Sequence, residues 1–278
     1  MTYEKIPAED LGKGNPIRIA FVDNEFDLYW AIAYDMAERI KLNNSENKVT
    51  VFIVPVGPVG QYRRFAAICN RQRIDLRHVH FINMDEYLDD TDAYIAYSNP
   101  LSFRRFMDEE CYGKIDPELV MPHANRIFPV PGREHEIMEK IEALGGVDTC
   151  YGGIGINGHM AFNEPPEEGE IFSVESFAAL TTRTLFLSRE TRTINSVTAA
   201  GGYIDLVPRR CITVGMKEIL SARRLRFYMN REWQKGIIRK VLHGGLDPRV
   251  PASLMALHSD ALITMTPEVA RMPLGQLR

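Results

Sequence analysis

The sequence predicts an α/β fold, a mostly parallel sheet flanked by helices on both faces in the Rossmann-like manner, built as one domain over residues 1–278. Three observations carry this. Short runs rich in Val, Ile and Phe recur along the chain, and longer stretches with a three- and four-residue apolar period separate them. No internal repeat, low-complexity tract or Gly/Ser linker divides the chain.

The first strand is PIRIAFV at 16–22, where β-branched and aromatic side chains suit a pleated, half-buried surface. A helix follows over 27–43: Leu28, Ala31, Ile32, Met36 and Ile40 recur on one face while Asp35, Glu38, Arg39 and Lys41 point elsewhere. KVTVFIVPV at 48–56 and HVHFINM at 78–84 are the next strands, with a helix at 60–72 between them. Helices at 98–111 and 133–144 lead to a strand at 147–155, VDTCYGGIG. Strands at 210–216 and 224–230, helices at 232–243 and 251–257, and a last strand at 260–266 complete the series. The proline-containing stretches MPHANRIFPVPG and EPPEEGEIF read as loops within the domain.

Composition narrows the function classes. A net charge of −4 gives no general attraction to nucleic acid or to an anionic membrane, so neither is an expected partner. Nowhere do eighteen apolar residues follow one another, and the opening MTYEKIPAEDLGKG has no apolar run of signal-peptide length; the expected location is the cytoplasm. Cys69, Cys111, Cys150 and Cys211 lie far apart with no C-x-x-C spacing, which predicts buried reduced thiols rather than a zinc site or disulfides. His78 and His80 share a strand face without a third ligand nearby, so no metal is expected.

The stretch GGIGINGHMAFNEPP at 152–166 has Gly153, Gly155 and Gly158 at the spacing of a dinucleotide-binding loop. Such a loop must open a helix and be answered by an acidic residue about 20 positions on. Here Pro165 and Pro166 stop any helix, and Ala178 and Ala179 stand where the carboxylate belongs, so no nucleotide cofactor is expected. The alternative is a strand end whose glycines let a ligand approach the backbone while Asn157, His159 and Glu164 supply polar and proton-transfer groups. A second strand, HVHFINM, runs directly into Asp85, Glu86 and Tyr87, and the carboxyl ends of parallel strands share one crevice.

FINMDEYLD followed some seventy residues later by GGIGINGHMAFNEP resembles the glucosamine-6-phosphate deaminase (isomerase) family, and the likeness extends over roughly 55–266 through ETRTINS, CITVGMKEIL and WQKGI. The resemblance implies the deaminase/isomerase type of fold, no cofactor and a small sugar or sugar phosphate as partner. It implies that Asp85 moves a proton from C2 to C1 and that His159, with Glu164 as its partner and Asn157 beside it, opens the sugar ring. Gly57, Glu86, Gly153, Gly155 and Lys235 are the implied substrate-binding positions. Monomers and homo-oligomers both occur among such proteins, and the sequence leaves that choice open.

The chain departs from the family's pattern at several of these places. Asn157 stands where an aspartate is usual, which removes a charge beside the imidazole. The first loop, PVGPVG at 55–60, has Val56 and Val59 in place of phosphate-binding hydroxyls and Pro58 in place of a backbone donor; Val197 replaces a phosphate-binding arginine. Lys235 does match the family's phosphate lysine, and Arg63, Arg64 and Arg231 are candidates to compensate. The reading is therefore an amino-sugar-phosphate deaminase/isomerase. A sugar-phosphate-binding protein without turnover and a lactonase-like hydrolase using His159 to activate water are the alternatives.

Overall fold

A computed structural model describes residues 3–273 and 275. Among the described residues there are ten strands: β1 (Arg18–Phe21), β2 (Thr50–Val54), β3 (Val79–Asn83), β4 (Asp85–Leu88), β5 (Arg126–Ile127), β6 (Thr149–Gly153), β7 (Arg183–Phe186), β8 (Arg210–Thr213), β9 (Arg224–Met229) and β10 (Ala261–Met265). Seven form a wholly parallel sheet in the order β1-β10-β9-β6-β2-β3-β5. The chain moves outward one way through β2, β3 and β5, then returns to the middle and moves the other way through β6, β9 and β10. The reversal falls between β2 and β6, and the crevice of an open α/β sheet lies at such a point.

Both faces of this sheet are covered, as a parallel sheet requires. Alternate residues of β2 show it: Val51 and Ile53 enter one apolar cluster, Phe52 and Val54 the other. On the Phe52 side lie α1 (Glu25–Ser45), α2 (Gln61–Gln72) and α3 (Phe103–Glu110), which contribute Leu28, Ile32, Phe65 and Met107. Asn24 caps α1 by accepting from the amides of Phe26 and Asp27 at 2.9 and 3.0 Å. The Ile53 side is filled from α4 (Glu136–Ala143), α5 (Val174–Ala178), α7 (Met216–Leu220), α8 (Lys235–His243) and α9 (Pro267–Ala270). The remaining helix, α6 (Arg189–Ala199), buries Thr191 and Ser196 rather than an apolar stripe.

The seven predicted strands all exist, but 210–216 belongs elsewhere than expected. Its extended part, β8, is the centre of a separate three-stranded antiparallel sheet, β4-β8-β7, over a small core that includes Tyr87, Phe162, Leu187 and Cys211. The stretch 251–257 is a 3-10 helix, and α5, α6, α7, α9, β4, β5 and β7 are additions to the sequence reading. α6 escapes periodicity because RETRTINSVTA has few apolar residues to mark a face.

One residue separates the two sheets at the point that matters. β3 ends at Asn83 and β4 begins at Asp85, with Met84 as the corner: its amide donates to the Val54 carbonyl at 2.9 Å and its carbonyl accepts from the Val214 amide at 2.7 Å. Asp85 is thus both the carboxyl edge of the parallel sheet and the first residue of the antiparallel one. All four β4 residues are buried, so the acidic run is a strand and not a solvated turn.

Candidate active site

A cavity of about 370 Å³ opens over the carboxyl ends of β2, β3, β6 and β9. Among the described residues lining it, Asp85 is the single carboxylate, His159 the single imidazole and Arg231 the single Lys or Arg. Gly57, Gly153 and Gly155 also line it. The residues around them are largely apolar, with Val56, Pro58, Val59, Phe103, Phe106 and Trp233 forming much of the wall.

Asp85 is 7% exposed, and no side-chain hydrogen bond holds its carboxylate among the described residues. Removal from water, and secondarily the adjacent Glu86 charge, push its pKa well above the ordinary carboxylate value. A carboxyl group so placed is a stronger base than a free aspartate once ionised.

Glu86 does not reach the cavity. It is fully buried on the other side of β4, where its oxygens accept from the backbone amides of Phe103 and Arg104 at 3.1 and 3.0 Å, from Ser102 Oγ at 3.1 Å and from Arg104 Nε at 3.1 Å. It therefore anchors the N-terminus of α3, where free N–H groups and the helix dipole favour a negative charge. The alternation of a strand sends neighbours to opposite faces, which is why Asp85 and Glu86 part company. Its expected role in binding substrate is replaced by a structural one plus a field acting on Asp85.

His159 follows β6 through a tight turn. Gly158 sits at φ +91°, the left-handed region, and the Gly155 amide donates to the His159 carbonyl at 2.9 Å. The imidazole lies directly against Gly155, so that a Cβ on that residue would fall within the ring. Asn157 Oδ1 stands 2.8 Å from His159 Nδ1 and also accepts the His159 amide at 3.2 Å. Its Nδ2 donates to Glu164 Oε2 at 2.7 Å and to Ser188 Oγ at 3.3 Å. Because the Asn157 oxygen can only accept, it fixes the tautomer with the proton on Nδ1 and leaves Nε2 as a base.

Glu164 is the expected partner of His159, and the structure gives it a less direct connection. Its Oε2 is 3.7 Å from Nδ1, and the Asn157 amide bridges the two. Burial lowers the His159 pKa from its ordinary value, opposed by the Glu164 charge, so the ring is neutral near pH 7. Thr191 Oγ1, at 3.2 Å from Nδ1, and Ser188, which caps α6 and bonds Thr191 Oγ1 at 3.1 Å, complete the surround. Neither residue was singled out from sequence; the signal available was Ser188 three positions before Thr191, a helix-capping spacing.

Asn163 of the same loop is fully buried and structural: it donates to the Met160 and Val214 carbonyls and accepts from Arg183 at 2.7 Å. Tyr87 and Asn195 line the cavity as a bonded pair, Nδ2 to Oη at 2.9 Å. Lys235 lies outside, in a separate depression with Glu232 and Arg271, and its ammonium pairs with Glu232. Among the described residues no group of three or more His, Cys, Asp or Glu could hold a metal ion. The four cysteines are free and buried, and no described helix is long and apolar enough to cross a membrane.

A buried acid and a neutral imidazole lining one cavity at the switch point of a parallel sheet define an α/β enzyme that moves protons on a small molecule. The fold is that of a monomeric glucosamine-6-phosphate deaminase of the NagB superfamily, with a TM-score of 0.77 at 24% identity over 91% of this chain and 99% of that one. It is also that of 6-phosphogluconolactonase from Trypanosoma cruzi, with a TM-score of 0.63 at 15% identity over 91% and 96% of the two chains. A curated relative, glucosamine-6-phosphate deaminase of Porphyromonas gingivalis, is 31% identical over 245 residues, covering 84% of this chain and 85% of the relative. The chain belongs to the glucosamine-6-phosphate deaminase family. No protein-family model matches it.

Proposed function

We propose that the protein converts an aminated aldose phosphate, of the glucosamine 6-phosphate kind, to the ketose phosphate and ammonia. The observation that carries this is the presence of Asp85 and His159 in the lining of one cavity, on a chain whose curated relatives bear the name of that deaminase. His159 takes the proton of the anomeric hydroxyl on Nε2 and passes it to the ring oxygen, opening the pyranose. Asp85 removes the C2 proton of the open aldehyde while the carbonyl oxygen takes a proton from the substrate's own ammonium, giving an enolamine, and Asp85 then returns its proton to C1, which leaves the C2 nitrogen as a protonated imine. The resulting C2 imine is hydrolysed by water to the ketone, and ammonia leaves; one water is consumed and no redox partner is needed.

Ammonia release and ketose formation, measured against amino sugars with and without phosphate and against a sugar lactone, test the proposal. Ammonia from an amino-sugar phosphate supports it. Product from the lactone alone transfers the site to hydrolysis, and binding without any product leaves a sugar-phosphate-binding protein. The buried free thiols and the small-molecule site accord with work in the cytoplasm.

A further inference from the structure

We propose that Arg231 anchors the substrate's phosphate, replacing the contacts that the family's pattern sets at 56, 59, 197 and 235; this rests on the reading that the substrate is an amino-sugar phosphate. Each alternative anchor is disposed of by its surroundings. Val56 and Val59 present methyl groups to the cavity, and Pro58 has no N–H to offer. Val197 is 64% exposed and lies outside the cavity, while Lys235 is held by Glu232 in the neighbouring depression. Arg63 pairs with Glu110 on the surface. Arg64 donates to the Gly60 carbonyl at 2.7 Å and lies over the rings of Phe26, Tyr29 and Trp30.

Arg231 differs from all of these. It lines the cavity, and among the described residues its guanidinium has no carboxylate partner. Its backbone is fixed, because its amide donates to Gln234 Oε1 at 2.8 Å and Gln234 Nε2 in turn donates to the Ile154 carbonyl at 2.8 Å. The preceding Asn230 is tied to the Tyr29 hydroxyl at 3.1 Å. The guanidinium is thus an uncommitted fork on a rigid stem, the geometry that grips a phosphate through two N–H groups at once.

Its position fits the chemistry as well. Arg231 lies just beyond β9 and Asp85 just beyond β3, three strand spacings or about 14 Å apart in the sheet order β9-β6-β2-β3. With both side chains projecting over the crevice and His159 rising from β6 between them, a hexose chain can place C1 and C2 at Asp85 and its far end at Arg231. Asn230 and Gln234 beside it are neutral and Arg231 is the single cation among the described lining residues, so the charge recognition falls on one residue.

The test measures binding of glucitol 6-phosphate, which has no C1 carbonyl and cannot react, alongside turnover of glucosamine 6-phosphate and glucosamine. Arg231→Gln is expected to weaken glucitol 6-phosphate and to raise the KM for glucosamine 6-phosphate by roughly 10- to 150-fold, the factor that loss of a charge-assisted contact gives. The kcat stays within a few-fold, because the contact is remote from the reacting carbons, and Arg231→Lys recovers part of the loss. Unchanged affinity in Arg231→Gln overturns the proposal, as does the same loss appearing in Lys235→Gln instead, or a wild-type protein that does not bind glucitol 6-phosphate. Arg231-dependent binding by a wild-type protein that releases no ammonia from any amino sugar upholds the anchor and removes the deaminase reading.

Discussion

Replacing Asn157 by Asp reverses the electrostatics around His159, and the structure gives the sign and size of the result. In the wild type the ring meets a neutral amide oxygen at 2.8 Å, and burial holds its pKa below the ordinary value. A group of this kind costs stability as pH falls below about 6.5, because the unfolded chain takes up a proton that the fold resists. In Asn157→Asp a carboxylate faces Nδ1, which raises a histidine pKa by about 1–3 units, or about 1.4–4 kcal/mol. Where the folded pKa then exceeds the unfolded one, the stabilisation is present in full below about pH 6.5 and fades as pH rises through the folded pKa. The same substitution removes the amide that donates to Glu164 at 2.7 Å and sets two acceptors face to face, a loss of about 1.5–3 kcal/mol when the ring is neutral. Asn157→Asp is therefore expected to be less stable than wild type by about 2 kcal/mol at pH 9 and to match or exceed it at pH 5.5. Urea unfolding at the two pH values reads this directly, and proton NMR titration of His159, identified by its absence in His159→Gln, reads the pKa. An equal stability difference at both pH values, with an unmoved His159 pKa, would refute the arrangement described for Asn157.

Further outcomes follow from the site. Asp85→Asn leaves a buried amide in place of the base, and kcat is expected to fall about 10²- to 10⁴-fold with little change in thermal stability; retention of full turnover and of solvent-proton incorporation at C1 would remove Asp85 from the mechanism. Because burial and Glu86 both raise its pKa, Asp85 ionises only above the usual carboxylate range, so the acid limb of kcat/KM stands above about pH 3.9. Glu86→Gln relieves the smaller of those two causes and moves that limb to lower pH, at a cost of about 1–3 kcal/mol from Arg104 and the α3 amides losing their carboxylate; a limb that shifts upward contradicts the assignment. Gly155→Ala displaces the imidazole, and loss of turnover with preserved circular dichroism is the expected result.

The strands and the long helices were legible in the sequence because burial on two faces demands apolar runs, and an amphipathic helix repeats every three or four residues. Asp85 and His159 could be named for a similar reason: each stands where an apolar strand gives way to polar chemistry, and the carboxyl ends of parallel strands converge. What period and composition do not encode is which way a side chain faces after the chain turns. Only the packed structure sends Glu86 under α3 while its neighbour faces the cavity, sets Lys235 outside the hollow that Arg231 enters, and inserts the Asn157 amide between Glu164 and the ring. It also moves β8 into a second sheet, since an isolated apolar run fixes a strand but not its partner. Local order is written residue by residue in the balance of propensity and burial; the committing of each polar group to a partner depends on elements distant in the chain, and is decided only when they meet.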